Sequence, residues 1–587
     1  MTEVDLQTRR TDFVHRNLGT WWALGLPLLS MFMLSLVFPT VSFWWLTPIA
    51  LTPLIVAARQ QRIKKKYLLY VWLVASLYYV VNLYWLSGIT VPGYIALSIY
   101  CGCFLAVFFL LTHLLASINW LPIWLSTPVI FTSLEYLRGH LFTGFPWFTL
   151  GVAFTGSLMV LQAVSIFGAA GLSFLAVMTA AVLADIFGSI ADRGRPVPRA
   201  SLWVGVALTV LLWGAVIVFG YVQLHHPPFR PGPRVAVLQQ NIPQSIKASH
   251  SIRSQKRLFN SYFQLSVRAA RHHPNLIAWP ETMVPGFLNP SWLAQSPAWY
   301  ARGHGRRMLM MDQNFARRLT AFAKKYDTAL LVGSSGVRFN RAGKISSMQN
   351  IAVLFTPHHG ENHRYYAKRH LVPFGEYLPF KHSAPWLHHV LSYFTPFGPN
   401  GDYSLTPGSV WRHFTLHVGS RSWRFASPIC YEDAMARPAR AFCRERDGRK
   451  GADFLMVISN DGWYQSRAEL QQHMQLDQVR AVENRVSVAR CVNGGYCGFI
   501  NPAGRVIKLV SRHGRHAFVS GIAVADMPLD GRLTFFDCGG YLFPRIVLAL
   551  GGVLMALLAG DRFYRRQKRH KKVSSDTSAG TDQPAGH

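Results

Sequence analysis

Charge is scarce in this chain. Asp, Glu, Lys and Arg make up 15% of its 587 residues, against about 25% in an ordinary soluble domain. Half of all residues are hydrophobic, so much of the polypeptide is expected in lipid. Acids are the scarcer sign: 27 Asp and Glu face 60 Lys and Arg, a formal charge of +33. Such an excess would suit a nucleic acid. However, no basic amphipathic stripe with interleaved aromatics occurs, and the cations cluster beside apolar runs, where membrane topology places them. Nucleic acid is therefore not an expected partner. The seven cysteines include no CxxC, which argues against a thiolate zinc site and against a dense disulfide framework. Cys101 and Cys103 fall inside an apolar run, and pairing among Cys443, Cys491, Cys497 and Cys538 is left open. Histidine clusters come as adjacent pairs (His272–His273, His358–His359, His388–His389), and read as surface residues. No GxGxxG and no phosphate loop appears, so nucleotide chemistry has no support. No metal or cofactor is expected.

What is present is a series of apolar runs long enough to cross a hydrocarbon core of ~30 Å. They lie near 20–38, 41–58, 67–87, 92–117, 121–138, 158–189 and 201–221, with an eighth at 541–560; the sixth has kink points at Gly168 and Gly171. Basic clusters set the topology. Arg9, Arg10 and Arg16, the loop RQQRIKKK (59–66), RGRPVPR (193–199) and the tail RFYRRQKRHKK (562–572) all fall on one side if the N-terminus is inside. The expected organisation is then a membrane region of seven spans over 1–222, an outward segment over 223–540, an eighth span at 541–560, and a basic, then disordered, cytoplasmic tail over 561–587.

The outward segment reads as α/β. Apolar runs at 234–242, 275–282, 329–337, 350–357, 424–430 and 453–461, and the pair SVARCVNGG and RVIKLV about the turn Asn501-Pro502-Ala503-Gly504, predict strands. Helical patterns at about 251–271, 312–326 and 468–486 alternate with them, which suggests a layered sandwich. Three residues at predicted strand ends can carry chemistry. Cys430 in FASPICYEDA needs a base or a cation to become a thiolate, and no histidine nearby looks like its dedicated base. Glu281 follows Ile277, Ala278, Trp279 and Pro280, an apolar flank that desolvates the carboxyl toward the range of a general base. Lys368 in YYAKRHLVPFGEYLP can hold an oxyanion and favour the thiolate, with Glu376 close enough in sequence to position it. Taken singly, each has an ordinary reading as a surface acid, a surface lysine or a buried cysteine.

Together, WPE, then AKRHLVPFGEYLP, then ICYED resemble the nitrilase (carbon–nitrogen hydrolase) superfamily, whose members use Glu, Lys and Cys. Within it the chain is more similar to the apolipoprotein N-acyltransferases of bacterial envelopes. NLYWLS (82–87), EYLRGHLFTGFPWFTLG (135–151), QQNIPQSIK (239–247), SNDGWYQ (459–465), QHMQLDQVRAVENR (472–485) and RCVNGG (490–495) extend that likeness over nearly the whole chain. The resemblance implies a multi-pass α-helical membrane bundle joined to a nitrilase-like αββα sandwich. It implies Cys430 as nucleophile, Glu281 as general base, and Lys368 with the Tyr431 N–H as oxyanion donors. Glu376 would support the lysine, and Tyr431 and Glu432 would shape the pocket. The implied reaction moves an acyl chain from a membrane phospholipid, through a thioester, to the N-terminal amine of a diacylglyceryl-apolipoprotein. It also implies a monomer in the inner membrane with its catalytic domain on the periplasmic face. Loops at 284–300 and 377–398 read either as lids dipping toward lipid or as extra core. Three departures stand out: Ala248 replaces a family Trp, Asn460-Asp461-Gly462-Trp463-Tyr464-Gln465 replaces an NDAWFG-like block, and Cys497 stands where a small hydroxyl is common. A membrane-tethered amidase with water as acceptor is the alternative, and a non-catalytic scaffold is a remote third.

Overall fold

The computed structural model describes residues 24–578 except 60–62, 191–197, 226–227, 248–250, 298–303, 359–363, 399–403 and the single positions 119, 382, 397 and 446. Ala248, Arg9, Arg10, Arg16 and most of the 193–199 cluster lie outside the described residues.

The apolar runs form α1 (Leu24–Val37), α2 (Lys65–Asn82), α3 (Val91–Leu115), α4 (Ile123–Arg138), α5 (Val164–Ile190) and α6 (Arg199–His225). Among the described residues four helices are long and apolar enough to cross a membrane: α3, the stretch Val164–Gly188, α6 and the last helix. The start of α3 is set locally. Thr90 caps it by accepting from Gly93 N at 3.2 Å, and Pro92 occupies the first turn, where an N–H would have no acceptor. The run 41–58, expected as a span, is not one helix. It makes a 3-10 turn at Trp44–Leu46 and a short helix at Thr52–Ala58, because Pro48 and Pro53 withhold the donors a continuous helix needs. Leu51, Leu54, Ile55 and Ala57 of this segment are buried inside the bundle. The expected kink in α5 occurs at Gly168, whose φ of 68° is open to glycine and strained for other residues.

The segment after α6 builds two sheets. Its elements are β1 (Arg230–Gln239), α7 (Ile252–Ala270), β2 (Leu276–Ala278), β3 (Val284–Phe287), α8 (His304–Tyr326), β4 (Ala329–Phe339), β5 (Ile345–Phe355), β6 (Arg364–Ala367), β7 (His413–Val418), β8 (Arg421–Ala426), β9 (Phe454–Asn460), α9 (Arg467–Glu483), β10 (Ser487–Asn493), β11 (Gly498–Ile500), β12 (Val506–Leu509) and β13 (Gly521–Leu529). The first sheet runs β13-β1-β2-β4-β5-β6 with β3 beside β4; the second runs β12-β11-β10-β9-β8-β7. Both faces of the inner strands are apolar, as sheets covered on both sides require. Val235 and Val237 of β1 pack between the sheets with Phe425, Met456 and Val488. Ala236 and Leu238 face outward onto α7 and α8. Those helices present one stripe each, Leu258, Phe259, Tyr262 and Leu265 from α7 and Met311, Phe315, Leu319 and Phe322 from α8.

Helix α9 covers the second sheet and is buried nearly all round. Its Leu476, Val479 and Val482 join Tyr431, Ala434 and Met435 in the core of the membrane region. Polar contacts fix this junction. Glu483 accepts from Ala169 N at the broken turn of α5 (3.0 Å), and Arg485 Nη1 donates to Gln162 Oε1 (2.6 Å). The final helix, α10 (Phe543–Ser578), runs well past the expected end at 560; residues 579–587 lie outside the described residues.

Candidate active site

Three strand ends converge on one edge of the sandwich. After β2 the chain passes through Trp279 and Pro280 to Glu281. Trp279 is fully buried and donates through Nε1 to Ser266 Oγ at 2.7 Å. The turn can sit there only because β4 carries Gly333 opposite it. A Cβ at that position would lie 2.4 Å from Pro280 O and 2.6 Å from Glu281 Cα. Glu281 is buried, 7% exposed. Its Oε1 accepts from Asn350 Nδ2 at 2.6 Å and its Oε2 from Asn460 N at 3.0 Å, so both oxygens have a fixed partner.

Lys368 follows β6, and its backbone N donates to Asn350 O at 2.8 Å. Its side chain is fully buried, with Nζ 2.8 Å from Glu376 Oε2 and 3.9 Å from Glu281 Oε1. Burial disfavours the ammonium, but Glu376, Cys430 and Glu281 outweigh it and hold its pKa above the ordinary lysine value. Glu376 is itself pinned by Val372 N (2.8 Å) and by Asn350 Nδ2 (3.2 Å). Asn350 therefore bridges the two carboxylates that flank the lysine.

Cys430 lies beyond β8, one residue after Ile429, which bridges to Ile458 of β9. Its φ is 52°, a left-handed conformation that costs a non-glycine residue energy and is kept where the surroundings enforce it. It opens the 3-10 turn Cys430–Glu432. The thiol is pushed well above its usual pKa, first by burial and then by Glu281, while Lys368 pulls it down. At rest it holds its proton. Glu432 enforces the turn. Fully buried, it accepts from Tyr366 Oη (2.7 Å), Arg369 N (2.8 Å) and His370 N (3.0 Å) on one oxygen and from Ile429 N (2.9 Å) on the other. One carboxylate thus ties the lysine's loop to the cysteine's turn. Tyr431 anchors that turn to the membrane region: its hydroxyl donates to Gly144 O, and its ring stacks on Trp147 at 5.5 Å and on His370 at 5.8 Å.

All six residues expected from the sequence are brought to this edge. The sequence reading missed Asn350, taken only as the start of a strand, and Asn460, seen only within SNDGWYQ. It also missed a buried charge cluster behind the turn. His473 on α9 lies 2.8 Å from Asp433 and 3.2 Å from Asp461. Arg490 of β10 reaches the same two aspartates and Asp477. Burial disfavours the imidazolium, but Asp433 and Asp461 prevail and raise His473 to about 10. The signal available was Glu469, His473 and Asp477 at i, i+4 spacing along one face of α9, which attention to paired histidines alone passes over. Of the two aromatic loops, the first is core: Trp292 is fully buried with Leu309 and Val337. The second exposes Trp386 and Tyr393, and its Phe394 O accepts from Thr90 Oγ1 at the head of α3 (3.2 Å).

The chain matches the model of the apolipoprotein N-acyltransferase N-terminal domain over residues 30–182 and that of the carbon–nitrogen hydrolases over residues 234–531. It is 28% identical to an apolipoprotein N-acyltransferase of Geobacter metallireducens over 447 residues, 76% of this chain and 75% of that one. It is 27% identical to the apolipoprotein N-acyltransferase of Chlorobaculum tepidum over 557 residues, 92% and 96% of the two chains. Among solved structures, an amidase from Nesterenkonia sp. aligns with a TM-score of 0.33 at 17% identity, over 51% of this chain and 91% of that one.

Proposed function

Because the chain belongs to the carbon–nitrogen hydrolase family, we propose that its Glu281, Lys368 and Cys430 work as that chemistry requires, in a membrane-bound N-acyltransferase that completes lipoproteins. The observation that carries the reading is one buried edge holding a fixed carboxylate and a fixed ammonium 3.9 Å apart, a thiol that responds to both, and a membrane region packed against the thiol's own turn.

Glu281 takes the thiol proton as Cys430 attacks an acyl ester carbonyl of a membrane phospholipid. The tetrahedral oxyanion forms against the Lys368 ammonium and the Tyr431 N–H. The lysophospholipid leaves with the proton from Glu281, and the acyl group stays on sulfur as a thioester. The N-terminal amine of a diacylglyceryl-apolipoprotein then gives a proton to Glu281 and attacks the thioester, yielding an amide and the free thiol. Glu376 keeps Lys368 charged and in place. No cofactor or metal enters this scheme. In this reading its organisation follows the basic clusters: seven crossings over 1–222, that of 41–58 made by a broken segment and not by one helix, the catalytic domain over 223–540 on the periplasmic face of the inner membrane, an eighth span at 541–560 and a cytoplasmic tail. A substrate that lives in lipid suits a site seated on helices, whereas a small soluble amide needs none.

The test is mass spectrometry of the full chain mixed with phospholipid. A fatty-acyl adduct on the Cys430 peptide with release of lysophospholipid, then an N-acylated diacylglyceryl lipopeptide on adding acceptor, is the expected result. Free fatty acid in place of the amide would identify a hydrolase, and an unmodified Cys430 would end the proposal.

A further inference from the structure

Two buried thiols stand outside this mechanism. β10 and β11 are antiparallel, with Val488 opposite Ile500, Ala489 opposite Phe499 and Arg490 opposite Gly498. One more step of the same register sets Cys491 opposite Cys497. Residues of a middle strand turn their backbone groups alternately to either neighbour, and Cys497 O accepts from Val510 N on the β12 side at 2.8 Å. Cys491 and Cys497 therefore form a non-hydrogen-bonded pair, in which opposed Cα atoms approach to about 4.5 Å and side chains are closest. Both are free thiols here: Cys497 Sγ donates to the carbonyl oxygen of Arg490, the residue before Cys491, at 3.1 Å, and Cys491 Sγ donates to Leu238 O (3.3 Å) and Ala278 O (3.0 Å) of the facing sheet. Both are fully buried in the core between the sheets. Burial and the contact with Cys497 both push the Cys491 thiol up.

We propose that Cys491 and Cys497 are joined by a cross-strand disulfide in the mature protein. The inference rests on the outward placement of the catalytic domain, since disulfides form and persist in oxidising compartments. Two thiols and one disulfide of an extracytoplasmic oxidant exchange to give one Cys491–Cys497 bond and two thiols on the oxidant, with two electrons and two protons passing to it. Both sulfurs are inaccessible in the closed fold, so the exchange belongs to folding, before the sheets pack. The bond closes the loop 492–496, which carries Asn493. Asn493 Oδ1 accepts from Ile242 N at 2.8 Å, and its Nδ2 donates to Asn460 Oδ1 at 2.9 Å. Asn460 N is the donor to Glu281. The cross-link thus fastens the loop directly behind the base.

The experiment uses the full chain purified from membranes without reductant, denatured in N-ethylmaleimide and mapped by peptide mass, beside an aliquot reduced first. Cys491 and Cys497 are expected as one linked, unalkylated peptide pair that becomes doubly alkylated only after reduction. Alkylation of both without reduction, or linkage of either to another cysteine, overturns the proposal. Sidedness is read in parallel from K344C, at an exposed turn, with an impermeant maleimide on intact spheroplasts. If K344C labels from outside while both thiols are free, only the disulfide falls; if K344C does not label and both thiols are free, the outward placement falls with it. A linked pair upholds the bond in either case.

Discussion

Replacing Lys368 by methionine is the sharpest perturbation of the site. The substitution keeps length and removes charge. The ammonium is fully buried, 2.8 Å from Glu376 and 3.9 Å from Glu281. At an effective dielectric of about 20 the longer contact alone is worth about 4 kcal/mol of attraction. Without it, the buried carboxylates of Glu281 and Glu376 share the amide of Asn350 and have no cation between them. The oxyanion loses a donor as well, typically about 2.7–4 kcal/mol, or 10²- to 10³-fold in rate. The thiol loses the cation that pulls its pKa down, so its thiolate fraction at a fixed pH falls. Single-turnover acylation of Cys430 from labelled phospholipid should therefore slow by at least about 10², and iodoacetamide should modify Cys430 more slowly at the same pH. Breaking a buried pair destabilises by about 3–5 kcal/mol, so rates are compared per folded molecule, with Tm measured alongside. Lys368→Arg keeps the charge and should lose less. An acylation rate and an alkylation rate both equal to wild type in Lys368→Met would refute the assignment of the lysine.

Other changes test separate parts of the site. Glu281→Gln should abolish acyl transfer while thermal unfolding shows a folded protein, since Gln keeps the shape and can still meet Asn350; normal turnover would remove Glu281 as base. Gly333→Ala should displace the Glu281 turn, because the new Cβ meets backbone that cannot yield. A stability loss of about 1–3 kcal/mol together with reduced acylation is expected, and a fully active variant would contradict the close approach. Tyr366→Phe removes one of the donors to Glu432 and should lower Tm, by about 1–3 kcal/mol of stability, with Cys430 acylation impaired. His473 is raised to about 10, above its unfolded value near 6.5, so its contribution is complete below about pH 6.5 and is lost as pH climbs toward 10. Tm of the wild type should fall over that window more steeply than that of His473→Gln, and parallel curves would sink the imidazolium reading.

The sequence by itself determined the division into a lipid-embedded part and an α/β part, because low charge and long apolar runs report burial without knowledge of packing. It also determined which acid, lysine and thiol to watch, since Glu281 and Cys430 end apolar strand runs and Lys368 stands in AKRHLVPFGEYLP, the segment that carries the family resemblance. Strand periodicity found β1, β4, β5 and β9, whose residues are buried on both faces. It passed over β3, β6 and β11, too short to show a period, and over β13, an edge strand carrying Asp526 and Pro528. Only the tertiary structure decided that 41–58 is not one helix, since two prolines in an apolar run look like a span until their missing donors are placed. The partners that hold the site were likewise invisible. Asn350 bridging Glu281 and Glu376, Glu432 joining two loops, and Asp433, Asp461 and His473 behind the thiol lie far apart along the chain. Their hydrogen bonds exist because the two sheets and α9 close around them, and no local pattern of residues records which distant donor will fill a given buried acceptor.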